Sequence, residues 1–407
     1  MRCRHCAYEL NYTFLDLGFA PPSNAYLSKE DLVNSERYFP LVVKICTNCW
    51  LAQTEDYASA NELFDESYAY FSATSTGWMN HAKIYSEEIV QRLKLDQDSF
   101  VVEVASNDGY LLRNFLKMGI PCLGIEPTAS TAIVAEGLGI PVLREFFGED
   151  VATRLASSSQ LADLVIGNNV YAHVPDINDF TLGLKSLLKP NGVITLEFPH
   201  LMELIANTQF DTVYHEHFSY LSLHAVQQIF AKADLRIWDV EQLTTHGGSL
   251  RVFGCHAASS RESTYEVDRL LKEEIASGLQ ILETYTSFQS KANKIKDELL
   301  FFLLEQKRTG KIVAAYGAAA KGNTLLNYAG VKTDLIAFVC DAANAKQDMY
   351  MPGSHIPILA PEYLERLKID FLLILPWNIA PEVILENSHL RAKGTKFVTA
   401  IPKLEII

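Results

Sequence analysis

Short apolar runs between residues 100 and 197 constrain the fold more than any other feature of the sequence. The runs are 100–105, 121–126, 141–143, 162–167 and 192–197. Runs of this length are typical of strands that are buried on both faces of a parallel sheet. Helical patterns alternate with them, which predicts a doubly wound α/β sheet whose ligands bind at the carboxyl ends of the strands.

The turn after the first run indicates which ligand binds there. It reads Ser-Asn-Asp-Gly-Tyr over residues 106–110 and lacks the GxGxxG spacing that cradles a dinucleotide pyrophosphate. Glu126 ends the second run, about 20 residues further on, where a carboxylate binds ribose hydroxyls. A ribose-binding acid without a diphosphate loop suits S-adenosylmethionine better than NAD. We assign the cofactor site to Glu103, Ala105, Asn107, Gly109, Glu126, Pro127, Asn168 and Asn169.

Four of the seven cysteines form two Cys-x-x-Cys knuckles. They are Cys3, Cys6, Cys46 and Cys49. Two such knuckles present four thiolates tetrahedrally to zinc and leave no open coordination position, which predicts a structural Zn²⁺ rather than a catalytic one. The alternative is two reduced, separate thiol pairs. His5 is expected at the surface, and residues 17–24 between the knuckles are turn-rich and are expected to form a loop.

The most polar stretch of the chain is Tyr-His-Glu-His-Phe-Ser-Tyr at residues 214–220. It could be a polar loop, or His215 and His217 could bind a metal, although the spacing is not that of HExxH. We favour a general acid–base site, in which a histidine moves a proton while a carboxylate and a phenol orient it. Residues 68–76 carry two further tyrosines before a helix that starts near Trp78. That segment predicts a helix cap, a lid over a cleft, or both.

Composition and charge exclude several classes of protein. Hydrophobic residues make up 48% and charged residues 21%, as in a soluble globular enzyme. A net charge of -14 argues against nucleic-acid and bilayer surfaces as partners. No apolar run approaches the ~20 residues that span a bilayer, and the first residues resemble no signal peptide. We therefore expect a cytoplasmic protein.

The last third of the chain predicts a second, smaller Rossmann-like domain. One or two long helices are expected over residues 262–308, as a connector or a dimer face. An apolar run at 311–316 then leads into Gly-Ala-Ala-Ala-Lys-Gly-Asn-Thr at 317–324. A strand that runs into a small-residue turn and a helix N-terminus is a ready phosphate site, and Lys321 adds a positive charge. Further strands are predicted at 335–340 and 372–375.

Several motifs together resemble one known family. They are the two knuckles, EVASNDGYLL, GIEPT, GNNVYAHVPD, TVYHEHFSYLS, HGGSLR and YGAAAKGNTLLN, in that order. The chain resembles the sugar C-methyltransferases that act on nucleotide-linked deoxy-keto sugars, over nearly its whole length. The resemblance implies a zinc-binding module (1–66), a class I Rossmann-like methyltransferase domain (67–255) and a helical connector with a nucleotide-sugar domain (256–407).

The resemblance also implies roles for individual residues. The matching catalytic positions are His217, Glu216, Tyr214 and Tyr68, with His217 deprotonating the carbon beside a ketone. Glu216 is expected to orient or charge-stabilise the imidazole, and a phenol to stabilise the enolate. Tyr70 is an alternative to Tyr68 as the matching phenol. The implied substrate-binding residues are Tyr70, Lys321, Asn323, Asp341, Lys346 and Asn378.

The implied substrate is a keto-deoxy sugar linked to thymidine or guanosine diphosphate, methylated at C-3 beside a 4-keto group. The sequence leaves open whether the chain is a monomer or a homodimer. Three other functions compete with this one: an O- or N-methyltransferase with the same cofactor, a double-Rossmann NAD(P) oxidoreductase, and a zinc-stabilised scaffold. The oxidoreductase lacks hydride-site residues that can be named, and a scaffold does not account for the polar stretch at 214–220.

Overall fold

The computed structural model describes residues 1–57 and 71–407, and three β-sheets divide this part of the chain into three units. We call them the N-terminal module, with a four-stranded sheet, the central domain, with a seven-stranded sheet, and the C-terminal domain, with a six-stranded sheet. The predicted fold class is confirmed, because a cysteine cluster at the N-terminus precedes two sheets that consist mainly of parallel strands.

The sheet of the N-terminal module includes a strand from far along the chain. Its strands are β1 (Tyr12–Ala20), β2 (Phe39–Ile45), β3 (Ala52–Thr54) and β9 (Ser219–Tyr220). The loop expected over residues 17–24 is wrong for its first half, because β1 continues to Ala20. They pair in the order β1-β2-β3-β9, each pair antiparallel. Buried and partly exposed residues alternate along the end of β2, as expected when one face of a sheet covers a core. Because β9 belongs to the polar stretch at 214–220, this pairing fixes that stretch against the N-terminal module.

The central domain contains the predicted parallel strands. Its strands are β4 (Val101–Val104), β5 (Cys122–Ile125), β6 (Val142–Leu143), β7 (Ala162–Asn168), β8 (Leu188–Pro199), β10 (Leu235–Leu243) and β11 (Ser249–His256). The order is β10-β11-β8-β7-β4-β5-β6, with β4 to β8 parallel. The strand order reverses between β4 and β7, which is where open α/β sheets bind their ligands. The sequence pattern did not predict the antiparallel pair β10 and β11.

Helices cover both faces of this sheet. This is shown by alternate residues of β4, which pack in different hydrophobic clusters. Val101 packs with the helix Thr76–Leu93, and Val102 packs with the helices Ile177–Leu187 and Leu223–Lys232. The helices are α1 (Thr76–Leu93), α2 (Leu112–Lys117), α3 (Ala129–Gly137), α4 (Glu149–Ser157), α5 (Ile177–Leu187), α6 (Leu201–Ala206) and α7 (Leu223–Lys232). The Ser75 hydroxyl accepts the Trp78 N–H at the start of α1, which confirms the predicted cap.

The predicted connector consists of three helices. They are α8 (Tyr265–Ala276), α9 (Leu282–Thr286) and α10 (Phe288–Arg308). Gly278 has a φ of 79° in the break after α8, a conformation that glycine adopts without steric cost. The dimer-face role of this region stays a prediction. Within residues 1–57 and 71–407, we find no helix with the length and apolar character that a membrane span requires.

The C-terminal domain is a second sheet with mainly parallel pairing. Its strands are β12 (Val313–Tyr316), β13 (Val339–Cys340), β14 (Ile358–Leu359), β15 (Phe371–Ile374), β16 (Lys396–Thr399) and β17 (Glu405–Ile406), in the order β14-β13-β12-β15-β16-β17. Only β17 pairs antiparallel. Its helices are α11 (Ala320–Tyr328), α12 (Tyr363–Arg366), α13 (Ala380–Glu386) and α14 (His389–Ala392). The strand predicted at 335–340 forms only over its last two residues.

Candidate functional site

The four knuckle cysteines meet in one cluster. Their Sγ atoms all lie within 4.8 Å of one another, and the Cys3–Cys49 and Cys6–Cys46 separations are 3.6 and 3.5 Å. A tetrahedral zinc ion with Zn–S bonds of about 2.3 Å separates its sulfur ligands by about 3.8 Å. The donor set and its spacing therefore fit a structural zinc ion.

Both knuckles use the same turn. Ala7 and Trp50, the residues that follow the second cysteine of each knuckle, have φ values of 61° and 56°. Their N–H groups donate to the carbonyl of the first cysteine of the same knuckle, at 2.9 Å in each case. The two turns are therefore alike and direct their thiols to one centre.

The first knuckle also attaches the N-terminal module to the central domain. His5 was expected at the surface, but it is only 6% exposed, because its Nδ1 lies 2.8 Å from Asn178 Oδ1 and Lys232 Nζ donates to its carbonyl. The Arg4 guanidinium donates to the carbonyl of Pro175 at 2.7 Å. A residue between zinc ligands looks exposed in the sequence when its partners lie on another domain.

A cavity of about 620 Å³ lies where the three units meet, at the carboxyl ends of the central parallel strands. The predicted site residues that line it are Ala105, Asn107, Glu126, Pro127, Asn168, Asn169, Tyr214, Glu216, His217, Lys321, Lys346 and Asn378. Because open α/β sheets bind their ligands at this edge, the cavity is the candidate active site.

Glu126 is held by the backbone of two neighbouring turns. Its Oε2 accepts the N–H of Asn107 and its Oε1 accepts the N–H of Thr128, both at 2.9 Å. Ala105 and Asn107 have φ values of 56° and 50°, so the chain turns sharply below the carboxylate. Each carboxylate oxygen can accept a second hydrogen bond. The arrangement therefore suits a pair of ribose hydroxyls.

Two asparagines at the end of β7 carry unpaired polar atoms. Asn168 is 7% exposed, and neither its Oδ1 nor its Nδ2 has a hydrogen-bond partner among the described residues. The Asn169 Nδ2 lies 3.0 Å from His246 Nε2, while its Oδ1 has no partner in the same part of the chain. A buried polar atom without a partner costs about 1–3 kcal/mol. Orphaned amide groups in a cavity wall are what a polar ligand such as S-adenosylmethionine would satisfy.

Two residues of the predicted cofactor set do not line the cavity. Glu103 is 1% exposed within β4, and burial raises the pKa of its carboxyl well above the ordinary value. Gly109 has a φ of 77°, and a Cβ there would lie 2.5 Å from the Ile140 side chain, so the glycine faces the packed core. Both positions are next to cavity residues along the chain, but their own surroundings are interior.

Aromatic rings form one side of the cavity. The Trp78 ring lies 4.9 Å from His81, 5.9 Å from Tyr110 and 5.1 Å from His246. His246 has a φ of 54°, and burial lowers its pKa to about 4. The sequence pattern places Trp78 only at a helix start and predicts no role for His246. Its position before two glycines in HGGSLR is the signal that could have marked it.

His217 is neutral, and its hydrogen bonds define the tautomer. Its Nδ1 lies 2.9 Å from the carbonyl of Thr212, which can only accept, so Nδ1 carries the proton. Its Nε2 lies 2.8 Å from the Tyr214 hydroxyl and therefore accepts that hydrogen bond. Burial, together with the neighbouring His173, lowers the pKa of His217 well below its ordinary value. Nε2 therefore has the lone pair that a general base needs.

His173, for which the sequence pattern predicts no role, lies beside His217. Its ring lies 4.6 Å from the His217 ring at an angle of 68°, and burial lowers its pKa to about 4. It ends the short turn after β7 and lines the cavity. Its position a few residues after the two strand-end asparagines was the available signal, because the same sheet edge brings all three to one place.

The Glu216 carboxylate hydrogen-bonds to Asn24 and not to the His217 ring, so it does not orient the imidazole directly, and its charge-stabilising role stays a prediction. Both of its oxygens lie 2.8 Å from the Asn24 Nδ2, and the Thr212 carbonyl takes the orienting position on the imidazole. Burial raises the pKa of Glu216 to about 7, although the Asn24 hydrogen bond opposes the shift. His215 lies away from the cavity, with its Nε2 3.2 Å from the Pro40 carbonyl. Neighbouring side chains in this stretch thus face different units.

The C-terminal domain places a partly buried ammonium group in the cavity. Lys321 Nζ donates to Asn378 Oδ1 at 2.7 Å and lies 4.8 Å from the centre of the Trp377 ring. Trp377 Nε1 in turn donates to Asp211 Oδ2 at 2.8 Å. Burial lowers the pKa of Lys321 and raises that of Asp211 to about 6.

The other predicted substrate-binding residues divide into two groups. Lys346 lines the cavity and donates to the Ala318 carbonyl at 2.8 Å. Asn323 and Asp341 do not line it. The Asn323 Nδ2 donates to the Ser23 carbonyl at 2.6 Å, and Asp341 Oδ2 accepts the Ala318 N–H at 2.7 Å. These two side chains shape the loop that begins α11.

Tyr68 and Tyr70 lie outside the described residues. The next residues attach to the turn after β4, where Ser72 N–H donates to Asn107 Oδ1 at 3.0 Å and Ala73 N–H donates to Asp108 Oδ2 at 2.9 Å. The roles of both tyrosines stay predictions.

Family models match the chain in three successive segments. A zinc binding domain matches residues 3–64, a methyltransferase domain residues 79–240, and a C-methyltransferase C-terminal domain residues 244–402. The cysteine cluster lies in the first segment, and the cavity is lined from all three.

The chain is also similar to individual proteins. C-methyltransferase NovU from Streptomyces niveus is 34% identical over 405 residues, which cover 100% of this chain and 96% of that protein. Among solved structures, the PH0226 protein from Pyrococcus horikoshii OT3 is 14% identical, with 46% of this chain and 95% of that chain covered and a TM-score of 0.38. Magnesium protoporphyrin IX methyltransferase from Synechocystis, solved with bound SAH, is 14% identical, with 44% and 83% covered and a TM-score of 0.35.

Proposed function

The chain belongs to the S-adenosylmethionine-dependent C-methyltransferases, and on this premise we propose that it methylates a carbon beside the ketone of a nucleotide-linked deoxy-keto sugar. We propose C-3 beside a 4-keto group, with thymidine or guanosine diphosphate as the carrier. The observation that carries the proposal is the shared cavity, in which a neutral His217 faces the same space as the ammonium groups of Lys321 and Lys346.

Each of the three segments has its own binding role in this proposal. Residues 1–66 bind structural zinc, residues 67–255 hold the methyl donor, and residues 256–407 hold the sugar nucleotide. Lys321 and Lys346, together with the N-terminus of α11, supply the positive charge that a diphosphate requires. Asn378 lines the same region and positions the Lys321 ammonium.

His217 acts as the base. Its Nδ1–H is fixed on the Thr212 carbonyl, so Nε2 takes the proton from the carbon beside the ketone. The Tyr214 hydroxyl donates to that nitrogen in the free protein; in the proposed step it leaves Nε2, which takes the carbon proton, and donates instead to the enolate oxygen that forms. Tyr68 is proposed as a second phenol, and His173 supports the His217 ring from its side.

The methyl donor is held by the central domain. S-adenosylmethionine supplies an electrophilic methyl group on a sulfonium centre. Glu126 binds the ribose hydroxyls, and the amide atoms of Asn168 and Oδ1 of Asn169, which have no partner among the described residues, bind other polar parts of the molecule. Pro127, Ala105 and Asn107 complete this wall.

Proton exchange tests the proposal before any methyl group moves. The protein is incubated in heavy water with thymidine-diphospho-4-keto-6-deoxyglucose and then with labelled S-adenosylmethionine, and both steps are followed by mass spectrometry. We expect deuterium beside the ketone and then a methyl group bonded to carbon. Methyl transfer without exchange would indicate an oxygen or nitrogen target. The absence of both exchange and methyl transfer with the thymidine and the guanosine sugars would overturn the substrate proposal.

Adjacent histidines provide a matched comparison in the same experiment. His217→Ala should abolish exchange and turnover while S-adenosylmethionine affinity stays nearly unchanged. His215→Ala removes an imidazole that contacts carbonyls of β2 rather than the cavity, so exchange should persist. Normal exchange in His217→Ala would remove His217 as the base.

A further inference from the structure

The N-terminal module contributes a side chain to the cavity. Asn24, in the loop between β1 and β2, lines it together with Glu216. We propose that Asn24 is a positioning residue of the methyl-transfer reaction, which holds the Glu216 carboxylate in the cavity as a hydrogen-bond acceptor. This inference rests on the proposed function and adds a role for the zinc-binding module that goes beyond stabilising the fold.

The contact between the two side chains is specific. Asn24 Nδ2 lies 2.8 Å from Oε1 and 2.8 Å from Oε2 of Glu216. Glu216 is 2% exposed, so water does not replace this donor easily. An amide NH₂ group carries two N–H donors and an ionised carboxylate offers acceptors on both oxygens, whereas a protonated carboxyl has a donor on one of them. The geometry therefore favours the ionised form of Glu216.

The loop that carries Asn24 is anchored on the C-terminal domain from both sides. The Ser23 carbonyl accepts from Asn323 Nδ2 at 2.6 Å, and the Tyr26 hydroxyl donates to the Ala318 carbonyl at 2.5 Å. Asn24 is thus clamped between the domain proposed to hold the nucleotide and the carboxylate beside the base. Asn323 was predicted to bind substrate, and in the structure its amide group holds this loop.

An ionised Glu216 has an electrostatic task in the proposed reaction. When His217 takes a proton from carbon, a positive charge forms in a buried site. A carboxylate in the same cavity offsets that charge, as carboxylates near catalytic histidines do. Burial alone opposes this, since it raises the pKa of Glu216, and the Asn24 hydrogen bond lowers it again.

Other ionisable groups face the same space. From the elements around Glu216 these are Tyr110, Glu126, Glu145, His173, Asp176, Asp179, Tyr214, His217, His246, Lys321 and Lys346, and Tyr26 interacts electrostatically with Glu216 from the loop that carries Asn24. His173 also hydrogen-bonds to the Glu216 backbone. A test must therefore isolate Glu216 from these neighbours, which a comparison with Glu216→Gln achieves.

The test measures the pH profile of turnover in four variants and titrates Glu216 directly by difference infrared spectroscopy. Asn24→Ala should lower turnover at pH 7 by roughly tenfold, with recovery at higher pH, because the carboxyl then ionises later. Asn24→Asp should move the acid limb further, because it replaces the donor by a second carboxylate. Asn34→Ala, an exposed asparagine of the same loop region, should match wild type. S-adenosylmethionine affinity should stay unchanged throughout.

The outcomes separate this inference from the proposed function. A packing role would make the isosteric Asn24→Asp the milder variant, without a change in the pH profile, and would overturn the inference. An unchanged Glu216 titration in Asn24→Ala would also overturn it, even if Glu216→Gln lost activity and wild type exchanged deuterium. Failure of wild type to exchange or methylate at carbon would instead refute the proposed function, whatever the infrared titration gave.

Discussion

The Thr54 hydroxyl donates a hydrogen bond to the backbone carbonyl of His217, over 3.1 Å. The Thr54 N–H donates to the next carbonyl, that of Phe218, also at 3.1 Å. Strand β3 of the N-terminal module therefore holds the backbone that carries the proposed base. Cys49, one of the four cysteines of the zinc cluster, precedes β3 by only a few residues. The cluster therefore lies near the start of the strand that ends at Thr54.

Removing the Thr54 hydroxyl should affect stability and turnover together. Thr54→Val leaves the buried His217 carbonyl without this donor, so we expect the free energy of unfolding to fall by about 1–2 kcal/mol. Denaturant unfolding measures this. Thr54→Ser keeps the hydroxyl and should retain most of both properties. A larger loss in Thr54→Ser than in Thr54→Val would show that the methyl group, rather than the hydrogen bond, matters.

Removing zinc should unfold the N-terminal module. Cys46→Ser removes one ligand of a four-thiolate cluster, and the binding free energy of a structural zinc is part of the folding free energy. We expect a lower folding yield and a loss of bound metal, measured by atomic emission. Cys122→Ala, which changes a cysteine outside the cluster, should keep one zinc per chain. A metal-free Cys46→Ser protein with normal folding and turnover would refute the zinc assignment.

Glu126 should contribute to cofactor affinity. Glu126→Ala removes a charged acceptor for ribose hydroxyls, which should weaken S-adenosylmethionine binding by about 1–3 kcal/mol in calorimetry. Glu136→Ala, in which a surface carboxylate paired with Arg144 is removed, provides the control and should bind normally. Equal affinities in the two variants would exclude Glu126 from the cofactor site.

Glu216 should make stability depend on pH. Its pKa is raised to about 7 by burial, so between pH 4.5 and 7 the folded protein binds a proton that the unfolded chain has lost. The stability from this group is fully present below pH 4.5 and is lost as pH rises through 7, a change of about 3 kcal/mol.

Glu216→Gln should abolish that dependence. The quantity to measure is the difference in unfolding free energy between variant and wild type, because Asp211 and the buried histidines titrate in both and cancel. The variant should gain in relative stability from pH 5 to pH 8. A difference that does not change with pH would mean that Glu216 ionises normally.

Local patterns were enough to predict the strands and the edge at which the site forms. The apolar runs at 100–105 and 121–126 contain β4 and β5, because a strand buried on both faces needs a continuous apolar run. Glu126 could be placed because its position follows from strand length and sheet edge alone. The cysteine cluster followed from spacing.

Contacts between distant segments could not be predicted in the same way. Asn24 and Glu216 are separated by 192 residues, and nothing in the residues around Asn24 distinguishes it from an ordinary loop asparagine. The antiparallel strands β10 and β11 were not predicted, because the loop that connects them is not a two-residue hairpin turn. The loop contains His246, Gly247 and Gly248, all with positive φ, and packs against Trp377 of another domain.

The pairing of β3 with β9 has a consequence for the order in which the protein folds. During translation, β3 is completed long before the ribosome has produced Ser219 and Tyr220, so the nascent N-terminal sheet keeps an open edge until the central domain is nearly complete. A chain truncated to begin after β3 would leave β9 without its partner and the backbone of His217 unsupported. Cutting the gene at the family boundaries therefore does not yield independent parts.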